Sequence, residues 1–235
     1  EKIAEKKYFR VNCDLAVEVA MKAKKQGVKH FVFLSTVKVY GDYHPEKGIW
    51  KEDSECNPSD SYGRSKYAAE KALSLLVDDS FAVSIIRPPL IYGVGVRANM
   101  LSIIKLIDRF PILPLGKIRN KRSFTSIENL VQLIDRVLEK RISGVFLAMD
   151  DKPLSTTELA IIIAKHMKKR VWLFPLPGFV VFIGKNVLPG IFDRLYGSFE
   201  IDNTQTRKLL DYSPALSSDN GIKKMVLAYL NEKKK

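Results

Sequence analysis

The sequence predicts an α/β fold built on a parallel sheet. Three observations carry it. Apolar runs of strand length recur along the chain as "KHFVFLST", "FAVSIIRPP" and "GVFLAMD". Helical patterns separate them. The runs are almost continuously apolar rather than alternating, as in strands covered on both faces.

The elements follow in order. Residues 3 to 26 carry a helical pattern that stops at Gly27. The first strand comes next, then a loop rich in Gly, Pro and charge from Gly41 to Asp60. Asp60 or Ser61 is placed to cap a helix running through Tyr62, Lys66 and Glu70. Pro88 and Pro89 stop the second strand. Helices are expected around 98 to 109 and 127 to 140, with a turn at "PILPLG" between them. After the third strand, "STTELAIIIAKHM" opens with a capping box, Ser155 to Glu158. The stretch from 171 to 192, "VWLFPLPGFVVFIGKNVLPGIF", is expected to be a buried strand and a short helical segment. Its prolines and glycines leave no run near the ~20 apolar residues of a membrane span, and peripheral contact with a membrane interface is the minority expectation. No repeat or low-complexity linker divides the chain. A sheet-bearing part passes gradually into a smaller C-terminal lobe after residue 93.

The 235 residues suffice for a real core, and 46% hydrophobic with 28% charged content fits a globular protein. Cys13 and Cys56 make neither a disulfide scaffold nor a metal site, and His30, His44 and His166 lack ligand spacing, so no metal is expected. The histidines read as surface or turn residues. The N-terminus is charged and reads as helix rather than signal peptide, so a reducing, cytoplasmic setting is expected. The net charge of +13 raises nucleic acid, anionic membrane or acidic substrate as partners. Lys and Arg look spread along the chain, and no RNA motif or zinc-finger spacing accompanies them, so no nucleic acid is expected.

In "SDSYGRSKYAAEKAL", Tyr62 stands four residues before Lys66. One helical turn separates them, so both lie on one face. A nearby ammonium favours a phenolate, which would make Tyr62 a proton donor and acceptor. Alone, so short a pattern reads first as a half-buried Tyr beside a solvated Lys. "YGVGVRA", from Tyr92 to Ala98, mimics a dinucleotide-binding turn, but no acidic residue closes a second strand about 20 residues later. It reads as a loop near a substrate.

Several pieces together resemble the extended short-chain dehydrogenase/reductases, in particular their nucleotide-sugar epimerase/dehydratase branch. These are "VN" at 11–12, "FVFLSTVKVYG" at 31–41, "SYGRSKYAAEKAL" at 61–73, "IIRPPLIYG" at 85–93, "KRSFTSIENLV" at 121–131 and "LLDYSP" at 209–214. The resemblance implies a partial Rossmann-type doubly wound parallel sheet over residues 1–93. A substrate-binding lobe interleaved with the last Rossmann elements would fill 94–235. It also implies a preceding strand with a G-x-x-G-x-x-G phosphate-binding turn. No such turn stands in the sequence, so the phosphate cradle, and with it activity, is expected to need residues outside it.

The resemblance assigns roles by position. Thr36, with Ser35 as runner-up, bonds the reacting sugar hydroxyl. Tyr62 takes its proton. Lys66 holds the nicotinamide ribose and keeps Tyr62 acidic. Ser35, Pro88, Pro89 and Leu90 lie by the cofactor, expected to be NAD with NADP left open. Leu90 departs from the Asn common at that position. Asn99, Met100, Arg122 and Arg194 would meet a nucleotide-diphosphate sugar, UDP-linked by expectation; Arg122 is the main diphosphate candidate, and Met100 lines the base pocket or merely packs. Asn12 is a structural contact or a proton relay. A homodimer is implied. The leading activity is a sugar 4-epimerase or 4-ketoreductase working through a 4-keto sugar. The alternatives are a catalytically silent relative and a 4,6-dehydratase; Val37 and Lys38 stand where the dehydratase would need an acidic pair.

Overall fold

The computed structural model describes residues 2–42 and 48–233; His44 lies outside them. Helix α1 (Lys2–Phe9) runs through a π turn (Arg10–Asp14) into α2 (Leu15–Lys25). Gly27 ends the run at φ 81°, a left-handed stop that suits glycine. Then come β1 (His30–Leu34), a 3-10 turn (Val37–Tyr40), α3 (Ser61–Ser74), β2 (Ala82–Arg87), β3 (Leu90–Tyr92), α4 (Ala98–Arg109), β4 (Ile112–Leu113), β5 (Phe124–Ser126), α5 (Ile127–Lys140) and β6 (Gly144–Leu147). The chain continues with α6 (Thr156–His166), β7 (Trp172–Leu173), α7 (Gly178–Val187), α8 (Pro189–Tyr196), α9 (Thr204–Leu210) and α10 (Ser218–Glu232).

The chain divides into two units. The first comprises Glu1–Pro89, Asn129–Met149 and Ile201–Ala215. It holds a parallel sheet ordered β1-β2-β6, with His30 opposite Ala82 and Ser84 opposite Gly144. Of the three apolar runs, β2 is the buried strand the sequence predicts; β1 and β6 flank it at the edges of this sheet, where β1 buries Phe33 but leaves Leu34 exposed, and β6 buries Phe146 and Leu147. Ala20, Phe33, Leu73, Phe81 and Ile85 make its core, with Cys13 and Val17 packed against it. His30 is not a surface or turn residue: it sits half-buried in β1, with Nε2 2.7 Å from Ser84 Oγ.

The second unit comprises Leu90–Glu128, Asp150–Glu200 and Leu216–Lys235. Two small parallel pairs, β3-β5 and β4-β7, brace its helices. Its core gathers Met100, Ile104, Leu159, Ile163, Ile222 and Met225 around Tyr92. Tyr92 donates to Asp150 Oδ2 at 2.6 Å. A Cβ on Gly221 would lie 2.6 Å from the same phenol oxygen, so α10 reaches Tyr92 only through a glycine. The capping box of α6 forms as predicted, with Glu158 returning a bond to the Ser155 N–H at 2.7 Å.

The 171–192 stretch departs from expectation. Its strand is two residues long, and Trp172 is 66% exposed. Apolar content alone reads as burial, but a two-residue strand buries one face at most.

Candidate active site

Backbone pairing continues past the ends of β1 and β2. Ser35 N donates to Ile86 O at 2.8 Å and Val37 N to Pro88 O at 3.1 Å. This sets Thr36 at the carboxyl end of the strands, beside the buried Pro88 and Pro89. Ligands of open parallel sheets gather at that end. Thr36 is extended and caps the following turn, its Oγ accepting from Lys38 N at 3.3 Å.

Helix α3 arrives with its N-terminus pressed onto that turn. Asp60 caps it, accepting from Gly63 N at 2.6 Å. A Cβ on Gly63 would lie 2.7 Å from the Lys38 carbonyl oxygen, so "SYGRSK" needs its glycine for contact. The approach sets the Tyr62 phenol near enough to the Thr36 hydroxyl for that hydroxyl to favour the phenolate. Tyr8 meets the Tyr62 ring edge-on at 6.0 Å.

The electrostatics differ from expectation. Burial pushes the Tyr62 phenol above its ordinary pKa; Lys38 pulls it back, Asp60 pushes it up, and the Thr36 hydroxyl lowers it. The cation acting on Tyr62 is Lys38, which pairs with Asp60. Lys66 instead donates to Leu34 O at 2.9 Å and lies 4.6 Å from the Phe33 ring centre. Burial lowers its pKa. Sharing a helix face placed Tyr62 and Lys66 on one side without joining them. The sequence reading missed Lys38; its partner Asp60 is distant in sequence.

Asn12 stands in the π turn and donates to Ser65 Oγ at 3.0 Å. Ser65 Oγ in turn donates to Tyr62 O at 2.8 Å. Asn12 thus holds the backbone of Tyr62. Such π turns cluster at functional sites.

Ser35 is buried and donates to Glu70 Oε1. Glu70 is held by Arg87, which lies 4.8 Å from the Tyr40 ring centre; Tyr40 stacks on Trp50 at 5.0 Å. Ser35 is therefore committed to a buried network beneath Thr36. Nothing in the sequence pattern pointed to Glu70 or Arg87.

The remaining site residues lie in the second unit. Arg122 Nη1 donates to Gly197 O at 3.1 Å and Asp193 O at 3.3 Å, binding carbonyls at the end of α8. Burial first, then Arg194, depresses its pKa. Arg194 donates to Asn99 Oδ1 at 3.3 Å. Neither arginine has a carboxylate partner among the described residues. Two neighbouring cations without a counter-charge suit an anion. Met100 is 1% exposed and packs in the core rather than lining an open pocket, while Leu90 is partly exposed. Cys13 and Cys56 are free thiols, and no metal-ligating cluster occurs among the described residues.

The site is thus a parallel sheet carrying a hydroxyl and a phenol at its carboxyl end, with a lysine one turn along the helix. The model of the NAD dependent epimerase/dehydratase family matches residues 2–146. The chain is 37% identical over 232 residues to UDP-glucose 4-epimerase of Vibrio cholerae, covering 95% of this chain and 70% of that one. It is 28% identical to the N-acetyl-alpha-D-glucosaminyl-diphospho-ditrans,octacis-undecaprenol 4-epimerase of Escherichia coli O157:H7, over 72% of this chain and 52% of that one. The fold matches UDP-glucuronic acid 4-epimerase from Bacillus cereus in complex with NAD at TM-score 0.74 and 20% identity, covering 95% of this chain and 68% of that one. The chain belongs to the NAD dependent epimerase/dehydratase family.

Proposed function

We propose that this chain carries the proton-transfer and substrate-anion residues of a sugar-diphosphate 4-epimerase or 4-ketoreductase. The observation that carries it is the placing of the Tyr62 phenol beside Thr36 at the carboxyl end of β1, near enough for the Thr36 hydroxyl to act on it. Thr36 orients the sugar C4 hydroxyl. Tyr62 accepts its proton, and the carbon becomes a ketone. The same phenol returns the proton when the ketone is reduced. Lys38 and Asp60 set its basicity through charge, and Asn12 fixes its backbone through Ser65. Arg122, with Arg194, binds the diphosphate.

NAD, with NADP left open, is the cofactor, and a nicotinamide supplies the hydride acceptor and donor when bound. The residues present fit its nicotinamide half. Lys66 is an ammonium with three donors, and the Leu34 carbonyl takes one. The others suit ribose hydroxyls. Pro88 and Pro89 form a buried apolar wall beside Thr36. A homodimer has a surface to use: Tyr8, Val11, Leu15 and Val19 are exposed at helical spacing on α1 and α2.

A second reading keeps the sugar diphosphate and replaces the nucleoside with a polyprenol. The relative from Escherichia coli and the exposed apolar stretch after Trp172 favour it. Incubation with UDP-sugars and with a polyprenyl-diphosphate sugar, with products read by NMR, tests both. Inversion or reduction at C4 supports the proposal, and the donor that reacts separates the two readings. Loss of water across C5 and C6 would overturn it in favour of a dehydratase.

A further inference from the structure

Helices α7 and α8 form a hairpin that is tight on one side and bare on the other. On the tight side, a Cβ on Gly184 would lie 2.0 Å from the Phe192 ring, so the helices meet through a glycine. Phe192 stacks on Tyr196 at 5.6 Å. On the bare side, Phe179, Phe182, Ile183 and Val187 follow the i, i+3, i+4, i+8 spacing of one helix face. They are 68%, 71%, 54% and 68% exposed, and Leu188 and Ile191 extend the patch. Asn186 falls within this face but turns its amide back to the Phe182 carbonyl at 2.9 Å. That bond takes one of its two amide N–H groups.

Charge points to the occupant. The unit that bears this face holds 19 Lys and Arg against 9 Asp and Glu, whereas the other unit holds 20 against 17. Lys and Arg are thus shared evenly between the units, as the sequence suggested, and the net positive charge gathers here because Asp and Glu are fewer. Lys185 sits on α7 itself, and "KKR" at 168–170 leads into Trp172. Trp172 and Ile112 are register partners in the β4-β7 pair and are both exposed, adding a second apolar patch to the unit. No helix among the described residues is long and apolar enough to cross a membrane.

Short length, aromatic and aliphatic exposure, a lysine on the helix and a net cationic unit are features of an element lying in a lipid interface. A protein partner would call for polar anchors and shape-specific pairing. We propose that the exposed face of α7 docks this protein on membrane surfaces rich in anionic lipid headgroups. The docking goes beyond the sugar chemistry and holds whichever diphosphate the site takes.

Vesicle flotation tests it without an activity readout. The probes are vesicles of phosphatidylcholine alone and of phosphatidylcholine mixed with phosphatidylglycerol. The wild type floats with the anionic vesicles, less so at high salt. Phe179→Ser/Phe182→Ser weakens this partition by about tenfold or more, since two aromatic anchors are lost. Lys185→Glu weakens it on anionic vesicles alone. Circular dichroism verifies the fold, and Phe182→Ser alone carries the test if the double variant unfolds. Wild type that stays unbound overturns the proposal. So does binding indifferent to the substitutions. A double variant that turns a dimer into a monomer overturns it too, assigning the face to a second copy of the chain.

Discussion

Arg87 grips Glu70 with two prongs, Nε to Oε1 at 3.1 Å and Nη2 to Oε2 at 2.6 Å, and both side chains are buried. The pair ties the end of β2 to α3, and Ser35 joins it from the end of β1. The three segments that frame Thr36 and Tyr62 therefore share one buried charge pair. Breaking such a pair strands a charge and costs about 3–5 kcal/mol. Glu70→Ala should lower the unfolding midpoint sharply in thermal melts. A midpoint equal to wild type would show that the clamp contributes nothing.

Lys38 and Asp60 bracket the Tyr62 phenol with opposite effects. Removing Lys38 deletes a charge that lowers the phenol's pKa and leaves Asp60, which raises it, unpaired. Lys38→Met should move the rising limb of the pH–rate profile, along which Tyr62 becomes a base, to higher pH. Asp60→Asn keeps a capping side chain and should move it lower. Shifts in the reverse sense, or none, would remove Tyr62 from the rate-controlling ionisation.

Arg122 and Arg194 separate two roles. Arg122→Lys keeps the charge but loses the fork, and it also uncaps the Asp193 and Gly197 carbonyls. It should weaken UDP binding by roughly tenfold to over a hundredfold, the range of a lost charge-assisted bond. It should lower thermal stability as well. Arg194→Gln should weaken UDP binding with little change in stability. Calorimetric titration beside thermal melts checks both. Equal UDP affinities in all three proteins would leave Arg122 a helix cap.

Acid sensitivity of the second unit should centre on Asp108. Lys169 first, and Lys233 with it, hold this carboxyl below the usual carboxylate range, and Tyr229 donates to it at 2.9 Å. A depressed carboxylate stabilises above its unfolded pKa of about 3.9 and loses that stabilisation as pH falls through its folded value. Asp108→Asn should lower the melting midpoint by a few degrees at neutral pH. The gap to wild type should close as pH drops below about 4. A gap that persists in acid would point to packing rather than charge.

Much of the fold was legible because local signals agreed. Ala98–Arg109 and Ile127–Lys140 fall where helical periodicity put them, and Asp60 and Ser155 cap as their types suggest. The π turn at Arg10–Asp14 left no local signal, because it depends on α3 packing beside it. In the site, Thr36, Tyr62 and Lys66 were legible through motif resemblance. Lys38, Glu70 and Arg87 were not, since their partners lie 17 or more residues away in sequence. Lys66 bonds Leu34 O rather than Tyr62, because a shared helix face does not fix where a long side chain ends. The exposure of α7 was hidden because apolar sequence reports the tendency to leave water, not what covers it.

The most direct test is the rate of C4 chemistry in Tyr62→Phe, read by NMR with the sugar diphosphate that the wild type converts. The substitution removes the phenol oxygen from a half-buried ring, so melting and UDP binding should stay near wild type. Turnover should fall by about a hundredfold to ten-thousandfold, the usual share of positioned acid–base catalysis. A folded Tyr62→Phe protein turning over at the wild-type rate would contradict the assignment of the proton to Tyr62.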